Sequence, residues 1–187
     1  DGKAVAVFTP TDKTYVGKVE PVTVQAKDKN GTPVTTTYTP NITPVTPTGT
    51  PTTSEGIQGS PQEGTPTFTQ GNPVAPIKID ETQPAKLVDP TTGKPTDEPT
   101  IPAKDATGKQ VGTYTIDPTT GKVTFTPNKD FVGTPVPATV EVKDANGTPA
   151  TATYTPTVKP VTPIGKVAFT EDIQGATQSG KPAFEGG

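Results

Sequence analysis

Apolar residues in this chain alternate with polar ones in short runs, and the runs are separated by Pro, Gly, Asp and Asn. Tyr114 and Ile116 alternate with Thr113 and Thr115, and Val123 and Phe125 with Lys122, Thr124 and Thr126, which predicts two half-buried strands. The intervening Asp117-Pro118-Thr119-Thr120-Gly121 has turn chemistry: Asp bonds the backbone ahead, Pro presets φ, and Gly supplies a positive φ. The same five residues recur as Asp89–Gly93 after Lys86-Leu87-Val88 and predict a second hairpin. Val136, Ala138, Val140 and Val142 alternate up to Asp144, and Ala150, Ala152 and Tyr154 alternate after Thr148. Asn146-Gly147 between them predicts a third hairpin, closed by a type I′ turn with both residues at positive φ. Strands are also expected over 4–9, 22–27 and 34–39. The segments 39–66 and 155–166 are dense in Pro and Thr and read as stiff, extended linkers, or with some prolines on edge strands that block sideways pairing.

The sequence repeats itself. Residues 14–71 match residues 130–187 at a constant offset of 116, with 30 of 58 positions identical. The identities include Lys27-Asp28 with Lys143-Asp144, Asn30–Pro33 with Asn146–Pro149, Tyr38–Pro40 with Tyr154–Pro156, and Pro44–Pro47 with Pro160–Pro163. Upstream the offset becomes 117, because Phe8-Thr9-Pro10 matches Phe125-Thr126-Pro127; a one-residue change of length marks a surface loop. The chain therefore divides into the C-terminal part of one repeat (1–47), one complete repeat (48–163) and the N-terminal part of the next (164–187). Such a period suits a domain with its own core rather than a solenoid turn of roughly 20–50 residues.

Composition narrows the chemistry. Of the 187 residues, 40 are Thr, 25 Pro and 19 Val, against a single Leu, a β-branched excess that fits pleated strands and resists helices. The chain has no Cys, Met, Trp, His or Arg, so nucleophilic catalysis through a thiol, general acid–base work by imidazole, and most transition-metal sites are excluded. The reading is: not an enzyme, no cofactor, no metal. With a net charge of −3 and no guanidinium fork, nucleic acid is not an expected partner. No apolar run reaches the length of a membrane-spanning helix and no signal-like start is present, so membrane insertion is not expected and the piece reads as internal to a longer chain. So few large apolar side chains fill only small cores, and modest stability is expected.

The run from Gly112 to Pro127, followed by Phe131–Pro135, Lys143–Thr148 and Ala152–Val158, resembles the CshA-type fibril repeat, and the likeness extends over essentially the whole chain. The resemblance implies tandem antiparallel β-sandwich (Ig-like) modules joined by Pro/Thr-rich linkers. It also implies a cell-wall-anchored surface protein of streptococci and related Gram-positive bacteria, whose repeats form a fibril that holds an adhesive head away from the cell. The partners are then neighbouring repeats of the same chain. A rival reading makes the repeat face itself a weak, multivalent contact for host extracellular matrix or other bacteria.

Several residues have both a chemical and a plainer reading. Asp144 with Asn146, echoed by Asp28 with Asn30, has the start of a calcium loop, but no acid follows, and the turn residues Asp117, Pro118, Gly121, Asp144, Asn146 and Gly147 read as structural. The neighbours Asp80-Glu81, Asp97-Glu98 and Glu171-Asp172 point to opposite faces of an extended chain and read as solvated surface rather than a glycosidase pair. Tyr38 and Tyr154 read as core rather than stacking platforms, because their phase continues that of the strand residues before them. Lys27 and Lys143 read as solvated strand ends rather than partners in an amide cross-link, since Glu141 is matched by Gln25. The Asn-x-Thr triplets at Asn30, Asn41 and Asn146 carry little weight in a bacterial chain.

Overall fold

In the computed structural model, which describes residues 4–186, every regular element is a β-strand. The outermost residues of the segments 1–47 and 164–187 lie outside the described residues. The first four strands are β1 (Gly17–Lys18), β2 (Val22–Lys27), β3 (Pro33–Tyr38) and β4 (Asn41–Ile42). Next come β5 (Thr48–Thr50), β6 (Thr52–Ile57), β7 (Gln62–Gly64), β8 (Thr67–Thr69), β9 (Lys86–Asp89) and β10 (Lys94–Pro95). They are followed by β11 (Thr100–Lys104), β12 (Gln110–Ile116), β13 (Val123–Pro127), β14 (Ala138–Lys143) and β15 (Pro149–Lys159). The chain finishes with β16 (Ile164–Lys166) and β17 (Ala183–Glu185).

Two sheets pack face to face. One has the order β10-β9-β14-β15-β6 and the other β11-β12-β13-β7. All pairings are antiparallel except that of β6 with β15, the first and last strands of the pair of sheets, which run parallel. The period-2 residues meet in the middle: Leu87, Val140, Val142 and Tyr154 from one sheet, Ile101, Tyr114, Val123 and Phe125 from the other. Three aromatic rings bridge the layers. Tyr114 lies 5.2 Å from Phe125 in a tilted pair and 6.2 Å from Tyr154 in an edge-on pair, between ring centroids, separations at which aromatic pairs are stabilising. The core is thus small and rich in valine, with aromatics supplying much of its volume.

The β12–β13 and β9–β10 hairpins carry the Asp-Pro-Thr-Thr-Gly loops. The β14–β15 loop differs from the expected type I′ turn, because within the loop Asn146 does not have positive φ and Gly147 alone does, at 78°. The Gly147 N–H bonds the Asp144 carbonyl at 2.9 Å and the Asp144 N–H bonds the Thr148 carbonyl at 3.0 Å, a three-residue loop in which a type I turn is followed by one left-handed residue. Asp144 decides the outcome. Its Oδ1 accepts the N–H groups of Asn146 (2.9 Å) and Thr148 (2.8 Å), which holds Asn146 in the right-handed arm of the turn and leaves the left-handed position to glycine.

Two further expectations are corrected. Half of the Pro/Thr-rich stretch 39–66 is strand, as is 155–159, and the longest irregular runs left in the two stretches are Thr43–Pro47 and Pro160–Pro163. Each of these holds Pro-Val-Thr-Pro. In 48–66, Pro51, Pro61 and Pro66 fall between strands, so they punctuate pairing rather than impose a polyproline helix. Residues 4–9, expected as a strand, join no ladder. By the repeat offset Phe8 corresponds to Phe125 of β13, which is held between β12 and β7, and among the described residues no strand lies beside Phe8.

What does form upstream is a local copy. β2 and β3 pair as β14 and β15 do, Gly31 repeats the positive φ of Gly147 at 84°, and Asp28 Oδ1 accepts from Asn30 (2.9 Å) and Thr32 (2.8 Å). Downstream, β16–β17 repeats β5–β8 at the same offset. Hairpin geometry is reproduced without a facing sheet, but burial is not: Tyr154 is fully buried, whereas Tyr38 is 39% exposed.

Candidate functional site

Closure of the sandwich is held by side-chain hydrogen bonds that link both sheets. β6 lies at the edge of its sheet with six residues in parallel register on β15, from Thr52 opposite Tyr154 to Ile57 opposite Lys159. A hydrogen-bonded circuit ties this pair to the other sheet. The Tyr154 hydroxyl donates to Ser54 Oγ (2.7 Å), Ser54 donates to Gln62 Oε1 (2.7 Å), and Gln62 Nε2 returns to the Thr157 carbonyl of β15 (3.1 Å). Gln62, on β7, is buried, so every polar atom of its side chain is satisfied inside. Tyr154 fits because β7 has glycine beneath it: a Cβ at Gly64 would stand 2.4 Å from the Tyr154 ring. Burial raises the pKa of Tyr154 and of Tyr114, which keeps both hydroxyls protonated as donors; Tyr114 donates to the Val136 carbonyl at 2.9 Å.

Sequence reasoning passed over Ser54 and Gln62. The signal was in the repeat: Gln62 recurs as Gln178, Tyr154 matches Tyr38, and Ser54 is matched by another hydroxyl, Thr170.

The turns form a second set of polar sites. Asp80, Asp105 and Asp117 each accept the hydroxyl of the threonine two residues on (Thr82, Thr107 and Thr119), and this bond is the main reason their carboxyls titrate below the usual aspartate range. Asp89 is lowered chiefly by the Thr91 N–H, and Asp97 by Lys86 at 2.6 Å. Their folded pKa values lie below the unfolded ones, so their contribution is complete above the ordinary aspartate value and is lost as pH falls through the lowered folded values. The melting temperature is therefore expected to hold steady from neutrality to about pH 5 and to drop below about pH 4. Circular dichroism melts across that range check it; a melting point unchanged down to about pH 2 contradicts the assignment.

The other candidates are dispersed. Asp144 is buried, with Oδ1 satisfied by its own turn and Oδ2 without a hydrogen-bond partner, beside a cavity of about 230 Å³ lined also by Lys86, Glu141 and Lys143. Its burial comes from the segment around Pro76, whose carbonyl accepts the Ala145 N–H at 3.1 Å, whereas Asp28, without such a cover, is exposed. Among the described residues no three His, Cys, Asp or Glu side chains come together as a metal group. Asp80 is half-buried and bonded to its own turn, while Glu81, Asp97, Glu98, Glu171 and Asp172 are exposed. Lys27 and Lys143 are exposed at strand ends. Tyr154 is core, and Tyr38 stands on the uncovered β2–β3 hairpin. No helix among the described residues is long and apolar enough to cross a membrane.

A family model described as the surface adhesin CshA repetitive domain matches residues 1–42 and 44–158. No curated protein matches the sequence. Among solved structures, the crystal structure of Down Syndrome Cell Adhesion Molecule isoform 1.30.30, N-terminal eight Ig domains, is similar at a TM-score of 0.39 and 13% identity, over 90% of this chain and 26% of that one.

Proposed function

The chain belongs to the surface adhesin CshA repetitive-domain family, and on that premise we propose that it is stalk: part of a cell-wall-anchored fibril that projects an adhesive head from the bacterium. Residues 48–163 are one module of the fibril, residues 1–47 the end of the module before it and residues 164–187 the opening of the module after it. Asp117, Pro118, Gly121, Asp144, Asn146 and Gly147 serve this function only as turn residues, and the work is spacing rather than turnover.

One observation carries the reading. Among the described residues of 48–163 no aromatic side chain is exposed: Tyr114, Phe125 and Tyr154 are buried, and Phe68 and Phe131 are partly covered. The exposed large apolar residues there are the single aliphatics Ile57, Val74, Val132, Val136 and Val161. Binding surfaces draw their energy from clustered aromatic and arginine anchors, and this module presents neither.

The test is to remove whole 116-residue repeats from the parent protein displayed on cells. A spacer shortens the fibril in proportion, seen by electron microscopy, and leaves the binding of each exposed head unchanged. Binding to matrix or partner cells that declines with repeat number, fibril exposure held constant, identifies the repeats as multivalent binders instead.

A further inference from the structure

We propose that the parallel β6–β15 pair is a shear clamp, through which the sandwich resists tension along its chain; the inference deepens the stalk reading and rests on it for the direction of pull. Connectivity sets how the load arrives. The chain comes out of the Pro44–Pro47 link into β5 and β6, and leaves β15 into the Pro160–Pro163 link. Because β6 and β15 are parallel, the start of one and the end of the other lie at opposite ends of the pair. Tension on the two links therefore slides the strands lengthwise past one another. All six register positions take the strain together, whereas strands held at the same end would peel apart one bond at a time.

The surroundings of the pair oppose sliding. The circuit Tyr154–Ser54–Gln62–Thr157 crosses the strand boundary once directly, at Tyr154–Ser54, and ties both strands to Gln62 on β7 in the other sheet. Lys159 Nζ pairs with Glu55 Oε2 at 2.6 Å across the same boundary, and the Gln58 N–H bonds the Lys159 carbonyl at 2.8 Å. On its other side, the end of β15 is gripped by a reciprocal pair between Val158 and Gly133, at 2.8 and 2.9 Å. A one-residue slip would break all of these and carry buried Val158 out of the core.

The chain has no cysteine, so introduced cysteines can set the points of pull in a single-molecule experiment on the full 187-residue chain. Thr46→Cys with Val161→Cys loads the pair in shear, and Ile57→Cys with Val161→Cys opens it from one end; all three sites are exposed. The shear geometry is expected to need a clearly larger unfolding force than the opening geometry, in one event. Ser54→Ala in the shear geometry is expected to lower that force. Ala103→Gly, in the far sheet, is expected to lower the melting temperature and leave the force unchanged. Equal forces in the two geometries, or a weak first step that frees β6, overturns the clamp. If that happens while shortened fibrils still bind normally, the clamp fails and the spacer stands. Direction-dependent force with binding that falls with repeat number leaves the clamp standing and overturns the spacer.

Discussion

Tyr154→Ala is expected to leave the sandwich largely unfolded at room temperature, while Tyr154→Phe stays folded and melts only a few degrees lower. The ring is fully buried, packs edge-on against Tyr114, and rests over the glycine backbone of β7. Truncating such an aromatic costs about 3–5 kcal/mol in transfer and cavity terms. A domain of this size has about 5–15 kcal/mol in all, and a core built on valine with a single leucine belongs near the bottom of that range. The alanine variant also removes the one side-chain bond from β15 to Ser54, which keeps only its bond to Gln62, and so loosens the hold on β6. Phenylalanine keeps the packing and loses one hydrogen bond, about 1 kcal/mol. Circular dichroism with urea titration reads both; an alanine variant that unfolds at the parent's urea midpoint would show that the aromatic bridge is not what holds the sheets together.

Amide hydrogen exchange is expected to separate two nearly identical hairpins. The β2–β3 and β14–β15 pairs share their turn, their register and most of their residues. Val140 and Val142 sit in a closed core, so their amides exchange only when the module opens; about 5 kcal/mol of stability slows them more than a thousandfold. Among the described residues the β2–β3 hairpin is a two-stranded sheet with no further strand paired to it, Val34 is 66% exposed, and a two-stranded hairpin alone is marginal in water. Its amides are expected to exchange close to the unprotected rate. Equal protection in the two hairpins would mean that the upstream copy finds a partner in solution.

That contrast also sorts what could be read from the residues. Turns and alternation are local, so the loops at Asp117–Gly121 and Asp144–Thr148 and the phases of Tyr114, Phe125, Val140 and Tyr154 are legible. The error at Asn146-Gly147 is local too: the dipeptide favours one turn, and an aspartate two residues earlier imposes another. Prolines at 51, 61 and 66 hid the strands they bound, because composition averages over the very spacing that permits pairing. The Ser54–Gln62–Tyr154 circuit joins residues about a hundred positions apart and leaves no periodic trace; only recurrence at the 116-residue offset marked it. Ala4–Phe8 shows the complementary limit: its copy ending at Phe125 is a strand held between two others, while Ala4–Phe8 joins no ladder, because pairing depends on neighbours that local pattern does not report.

The direction of the closing pair also bears on how a tandem chain emerges during synthesis. Residues 52–57 are made long before their partner at 154–159, and the first stretch able to imitate that partner is its copy at 38–43, already present. Were the closing pair antiparallel, a short hairpin would suffice to join a strand to the wrong repeat. A parallel match needs a crossover of about a dozen residues, and only eight, including Pro44, Pro47 and Pro51, separate Thr43 from Thr52. The same eight-residue spacing separates Lys159 from Ala168 on the far side. Two repeats that are half identical are thereby kept from exchanging strands with their nearest neighbour, the characteristic misfolding route of repeated domains.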